Sequence, residues 1–260
     1  MRIYYHPTCA SSRRVIKELH ARGLLRRVEL IRVSHVAAAR VMPEEIWSVP
    51  WIADGEDPLA TDPVEPEEAA SIVEGRWVGG ARNPEESFMS AVIGSLYAAS
   101  LVYLHDSLRP VASERFARAA LRSRLGGPDP GPVLASVARD ERALLEAYRG
   151  KVLRVLSYGL LRALWWANGG EPPGEPPGER EVALWLLSTA SIGRAGLPDR
   201  PQLAARRSRD LAEAVRGDFD RLAKRVDEEQ RAIMEDAEYW EILDAAGSTG
   251  AEPGAASGKA

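Results

Sequence analysis

The sequence predicts an α/β N-terminal domain over residues 1–80, a mostly α-helical domain over 81–245, and a disordered tail over 246–260. Three observations carry this division. Strand-like and helix-like runs alternate as far as residue 75. From Asn83 on, strand signals almost vanish and apolar residues recur at helical spacing. The last fifteen residues are rich in Gly, Ala and Ser, a composition that buries too little apolar surface to fold. A chain of 260 residues fits two domains of ordinary size.

Within the first domain, Arg2–Tyr5 reads as a strand and His6-Pro7-Thr8 as a turn. Val15, Ile16 and Leu19 then fall on one helix face, and Gly23 stands where a helix C-cap belongs. Leu24–Val33 holds a second strand, with alternation at Val28 and Leu30, and Ser34 caps a second helix through residues 37–42. Trp51–Ala53 makes a third strand, entered through Val49-Pro50. Asp54-Gly55 turns it into a fourth at Leu59–Thr61. Pro63 and Pro66 lead into a helix over Glu67–Glu74 with its acidic residues first, as the helix dipole favours. The order is β-α-β-α-β-β-α.

The second domain reads as helices over 84–107, 111–125, 131–148, 150–167, 179–193 and a long, broken 201–245. Gly126–Pro132 is a loop, and the repeated Glu-Pro-Pro-Gly of 171–178 is an exposed, semi-extended one. Val152–Trp166 and Val182–Ile192 are core helices. Trp165, Trp166, Trp185, Tyr97 and Tyr103 serve there as packing aromatics. Arg206–Glu238 mixes charges of both signs and reads as a solvated helix face.

Composition narrows the function. A net charge of −4 offers no basic footprint for nucleic acid. One cysteine excludes an intramolecular disulfide, and one Cys with four His gives no metal-ligand pattern. Ser87–His105 carries no Asp, Glu, Lys or Arg over 19 residues, but its serines and Gly94 suit a buried helix better than a membrane span. No charged leader with a long apolar core precedes the first strand, so the expectation is a cytoplasmic protein that binds no membrane.

The chemistry, if any, gathers at Cys9. It follows a strand and a Pro-containing turn and opens a helix. Unpaired backbone N–H groups and the helix dipole favour a thiolate there. Ser12, three residues on, can set its hydroxyl beside the sulfur. Arg13, four residues on, shares the helix face and adds positive charge, and His6 adds more when protonated. The alternatives are a buried, inert thiol, a turn-forming His6 and a merely exposed Arg13.

This segment resembles the active-site region of the thioredoxin and glutaredoxin superfamily, in the monothiol C-x-x-S form Cys9-Ala10-Ser11-Ser12. The run His6-x-x-Cys9-x-x-x-Arg13 also looks like the arsenate reductase branch. Val49-Pro50 before a strand resembles the family's cis-proline segment. That likeness implies that Pro50 packs by the sulfur and that the Val49 backbone pairs with a thiol substrate. Thr61-Asp62 matches the place where glutathione-binding members hold the γ-glutamyl group. The two-domain layout is similar to that of glutathione transferases.

The resemblance implies a monothiol thiol–disulfide oxidoreductase or thiol transferase. Cys9 would be the nucleophile, Ser12 and Arg13 its stabilisers, and His6, Val49, Pro50, Thr61 and Asp62 the substrate contacts. No cofactor would be required. Glutathione or another small thiol would act as co-substrate, and a small or protein thiol would resolve the adduct. The alternative is a catalytically silent thioredoxin-fold module whose helical domain binds a protein partner or makes a homodimer.

Overall fold

The computed structural model describes residues 1–33, 46–76, 79, 83–192 and 201–247. Four strands form one mixed sheet: β1 (Arg2–Tyr5), β2 (Glu29–Arg32), β3 (Trp51–Asp54) and β4 (Asp57–Thr61). Their spatial order is β2-β1-β3-β4, with β2 parallel to β1 and β3 antiparallel to both β1 and β4. The Asp54-Gly55 signal makes the β3–β4 hairpin, with Gly55 at φ 59°. Pro58 lies on the edge strand β4, where a missing N–H costs no ladder bond.

Side-chain alternation divides the sheet's two faces. Ile3, Ile52 and Ala60 pack on α1 (Ala10–Ala21) and α2 (Pro66–Val73), through Val15, Leu19, Ala69, Ala70 and Ile72. On the other face, Tyr4, Trp51 and Ala53 enter the large core of the helical region. Helix α1 closes on a pair of bonds, Gly23 N to His20 O at 2.8 Å and Leu24 N to Leu19 O at 2.8 Å, with Gly23 at φ 67°. A 3-10 turn over Leu25–Arg27 then shortens the expected second strand to β2. The helix expected over 37–42 lies outside the described residues, as does the tail beyond 247.

Nine further α-helices follow among the described residues: α3 (Pro84–Gly94), α4 (Leu96–His105), α5 (Glu114–Leu121), α6 (Pro130–Arg139), α7 (Glu141–Ala167), α8 (Glu179–Ile192), α9 (Pro201–Gly217), α10 (Phe219–Met234) and α11 (Ala237–Gly247). The helix expected over 84–107 is two, bent by 99° at Ser95. Ser95 Oγ caps α4 by accepting the Ala98 N–H at 3.1 Å and donates to Trp47 O, so the chain turns where its hydroxyl is engaged. No single helix among the described residues is long and apolar enough to cross a membrane, and the bent α3–α4 pair is largely buried. The break expected near Gly150 falls instead at Asp140. Gly150 stays inside the 27-residue α7, since one helical glycine costs only about 1 kcal/mol. Trp165 and Trp166 bind α7 to α10, their indole N–H groups donating to Asp227 at 2.8 Å and Gln230 at 2.9 Å.

The end of the described chain returns to its beginning. Asp236, between α10 and α11, accepts from Arg13 Nε at 2.7 Å and from Lys17 Nζ at 3.0 Å, and its side chain is 8% exposed. Tyr239 is fully buried and donates its hydroxyl to Pro7 O at 3.1 Å. Ile16 and Tyr5 meet Ile233, Tyr239 and Ile242 around these bonds. Burial pushes the Asp236 carboxyl up, but the bonds from Lys17, Arg13 and the Tyr239 N–H outweigh it and hold the group down at about 2.

A depressed carboxyl stabilises the fold fully above the unfolded value of 3.8 and loses that stabilisation as the pH falls toward 2. Asp236→Asn is expected to lower unfolding free energy at pH 7 by about 2 kcal/mol. Urea unfolding would show this as a lower midpoint at unchanged slope. The gap between variant and parent should close as the pH falls from 4 toward 2.

Candidate thiol site

Cys9 is held by backbone on both sides. Its N–H donates to His6 O at 3.0 Å, closing the turn, and its carbonyl accepts the Arg13 N–H at 2.9 Å, opening α1. The residue is the N-cap of α1, extended at φ −90° and ψ 120°, and its side chain makes no capping bond. The sulfur reaches Val49 O at 3.7 Å. The Val49-Pro50 peptide is cis, as is Asp62-Pro63. Thr61 Oγ1 donates to Ser48 O at 3.4 Å and the Asp62 N–H to Pro50 O at 3.1 Å, which aligns residues 61–62 beside 48–50. Cys9, Val49, Pro50, Thr61 and Asp62, up to 53 residues apart in sequence, thus meet at one end of the sheet.

Two of the expected site residues have other partners in the structure. Arg13 pairs with Asp236, so its charge docks the C-terminal helices. A carboxylate 223 residues away outcompetes the sulfur because it offers an ionised, hydrogen-bonded partner. The imidazole of His6 faces its own turn, where Thr8 N and Thr8 Oγ1 lie 3.3 and 3.0 Å from Nδ1. Ser12 does lie inward. Its hydroxyl is buried, meets no acceptor of normal geometry, and with its own N–H favours the thiolate of Cys9.

The electrostatic balance runs against the thiolate that the helix start alone favours. Burial pushes the Cys9 thiol above its ordinary value, and the Asp62 carboxylate pushes it further. Ser12 and then Arg162 of α7 oppose this without reversing it. Asp62 is itself pushed up to about 6, first by burial, with the Ser11 hydroxyl, Arg14 and Arg122 pulling it back. Gly94 ends α3 against this carboxylate: a Cβ there would stand 2.8 Å from Asp62 Oδ2. Ser11, Gly94 and Arg162 were missed as site residues. Ser11 lies inside the C-x-x-S run and was within reach of sequence reasoning. Gly94 and Arg162 carry no local signal and come to the site only through the packing of α3 and α7.

No three His, Cys, Asp or Glu side chains gather as a metal site among the described residues. Asp62→Asn removes a like charge from beside the sulfur, so Cys9 should ionise at lower pH and react severalfold faster with iodoacetamide at pH 7. In the parent protein, the Asp62 contribution should fade as the pH falls through about 6 and the carboxylate takes up its proton. The rate of alkylation against pH, read by mass spectrometry at the single cysteine, measures both. Comparison of the chain with protein-family models, with curated proteins and with solved structures returned no match.

Proposed function

We propose that residues 1–75 are a thioredoxin-type domain and that the protein is a monothiol thiol–disulfide oxidoreductase or thiol transferase acting through Cys9. One observation carries the reading: the only sulfhydryl in the chain stands at the start of α1, 3.7 Å from the carbonyl of the residue before Pro50. A thiol substrate in extended form would find the Val49 backbone beside the sulfur. Thr61 and Asp62 flank that strip.

In the proposed step the Cys9 sulfur, having lost its proton to solvent, attacks one sulfur of a disulfide R–S–S–R′. The Cys9–S–R bond forms, the S–S bond breaks, and R′–S⁻ leaves with the electron pair and takes up a proton. A second thiol, glutathione or another small or protein thiol, then attacks the mixed disulfide and releases Cys9. With one cysteine in the chain, this resolving thiol has to come from another molecule. Burial and Asp62 push the thiol up, so the thiolate that attacks is the minor form at neutral pH.

That same upward shift, with Arg13 committed to Asp236, favours a second reading in which the domain is catalytically silent and the helical region binds a protein partner or a second copy. Turnover of a glutathione-capped peptide disulfide by the full chain and by Cys9→Ser separates the two. The enzyme reading expects turnover to fall to background in the variant. Equal activity in both proteins, or none in either, overturns it.

A further inference from the structure

We propose that Arg162 receives the leaving thiolate when Cys9 opens a disulfide, so that the helical region supplies a catalytic residue to the thiol site. The proposal rests on the thiol reading above and adds to it the group that takes up the displaced charge.

Arg162 of α7 is partly buried, yet among the described residues it makes no hydrogen bond and no ion pair. The other partly or fully buried arginines of the described residues each bond an acceptor, from Asp236 for Arg13 to Asp106 for Arg207. A guanidinium withdrawn from water without a partner is unfavourable. Its presence there points to an anion that it meets only during turnover.

A chain of contacts brings this charge to the thiol. Ser95 donates to Trp47 O and so ties the start of α4 to the strip that leads into Val49-Pro50. Leu96, the next residue, fills the place of a side chain at Gly159 of α7, where a Cβ would collide with it. Arg162 follows one helical turn later, and its charge acts at Tyr97 and at the Cys9 sulfur. Two hydroxyls in this seam find no bonding partner of normal geometry. One is that of Ser12, which is fully buried and acts on the sulfur. The other is that of Tyr158, one turn before Arg162. Glu229 and Arg225 of α10 both face Tyr158, with opposite charges.

The chemistry gives the uncommitted cation a role. The Cys9 sulfur attacks in line, the Cys9–S–R bond forms and the S–S bond breaks. The electron pair departs on R′–S⁻, on the far side of the attacked sulfur. Asp62 acts at the Cys9 sulfur more strongly than Arg162 does, so a second thiolate is disfavoured on the sheet side. It is stabilised on the side of α7, where Arg162 can meet it. R′–S⁻ then takes up its proton from solvent.

Exchange of the full, reduced chain with a series of neutral alkyl aryl disulfides tests this. The members differ only in the ring substituent, hence in the acidity of the leaving thiophenol, whose release is read by absorbance. A cation at the leaving sulfur makes the rate less dependent on that acidity. In Arg162→Gln the poorest leaving group is expected to slow at least tenfold more than the best one. In Arg162→Lys the dependence should stay as in the parent. Any effect of Arg162 on the ionisation of Cys9 scales every member equally and cancels. Far-ultraviolet circular dichroism checks folding, and Arg162→Met carries the same test if the Gln variant is unfolded. A uniform loss across the series, no loss, or a dependence as steep in Arg162→Lys as in Arg162→Gln overturns the proposal and leaves the thiol reading standing. No exchange between the parent and any member overturns both.

Discussion

A sheet of only four strands with apolar side chains on both faces has to be covered twice. Helices α1 and α2 supply one cover, and the helical region supplies the other by receiving Tyr4, Trp51 and Ala53. Trp51 is fully buried, and burial of an indole of this size contributes about 4–6 kcal/mol of transfer free energy. Its Nε1 finds no acceptor among the described residues, which costs about 1–3 kcal/mol, so hydrophobic transfer prevails. The helical region therefore completes the sheet, and the thiol at the sheet's end acquires its surroundings from both parts.

The polar contacts across this seam are few and specific. Arg122, itself at φ 53°, spans from α5 to Glu68 at 2.6 Å and to Pro63 O at 2.5 Å. Ser95 reaches Trp47 O, and Asp236 gathers Arg13 and Lys17. Each ties a helix to the segment that shapes the Cys9 loop or the strip of residues 48–50 and 61–62. The site's electrostatics follow from this closeness. Asp62 is buried and Cys9 half-buried, and desolvation is the first cause of both upward shifts.

Local chemistry was legible in the sequence where one residue's geometry decided the outcome. Gly23 and Gly55 announced a helix end and a hairpin, and Cys9 stood at a helix start. The resemblance places Val49-Pro50 next to the thiol, and the sulfur reaches Val49 O. What could not be read was competition between distant groups. Arg13 has the correct spacing to face the sulfur, yet Asp236 takes it, and nothing within 200 residues of Arg13 signals that partner. The bend at Ser95 was hidden for a related reason: a uniformly apolar run has no periodicity to lose, and the turn depends on Trp47 O and on the room that Gly94 leaves for Asp62.

The clasp between the chain's two ends also bears on the order of events during synthesis. Pro7 and Tyr239 are 232 residues apart, and Arg13 waits 223 residues for Asp236. A ribosome adding about 5–20 residues per second therefore exposes the Cys9 loop for at least ten seconds or so before the clasp can form. Through that interval α1 lacks the cover of Ile233, Tyr239 and Ile242, and the nascent sheet waits for the helices that shield its second face. The seating of α1, the helix that Cys9 opens, is thus among the last contacts of the molecule to be completed.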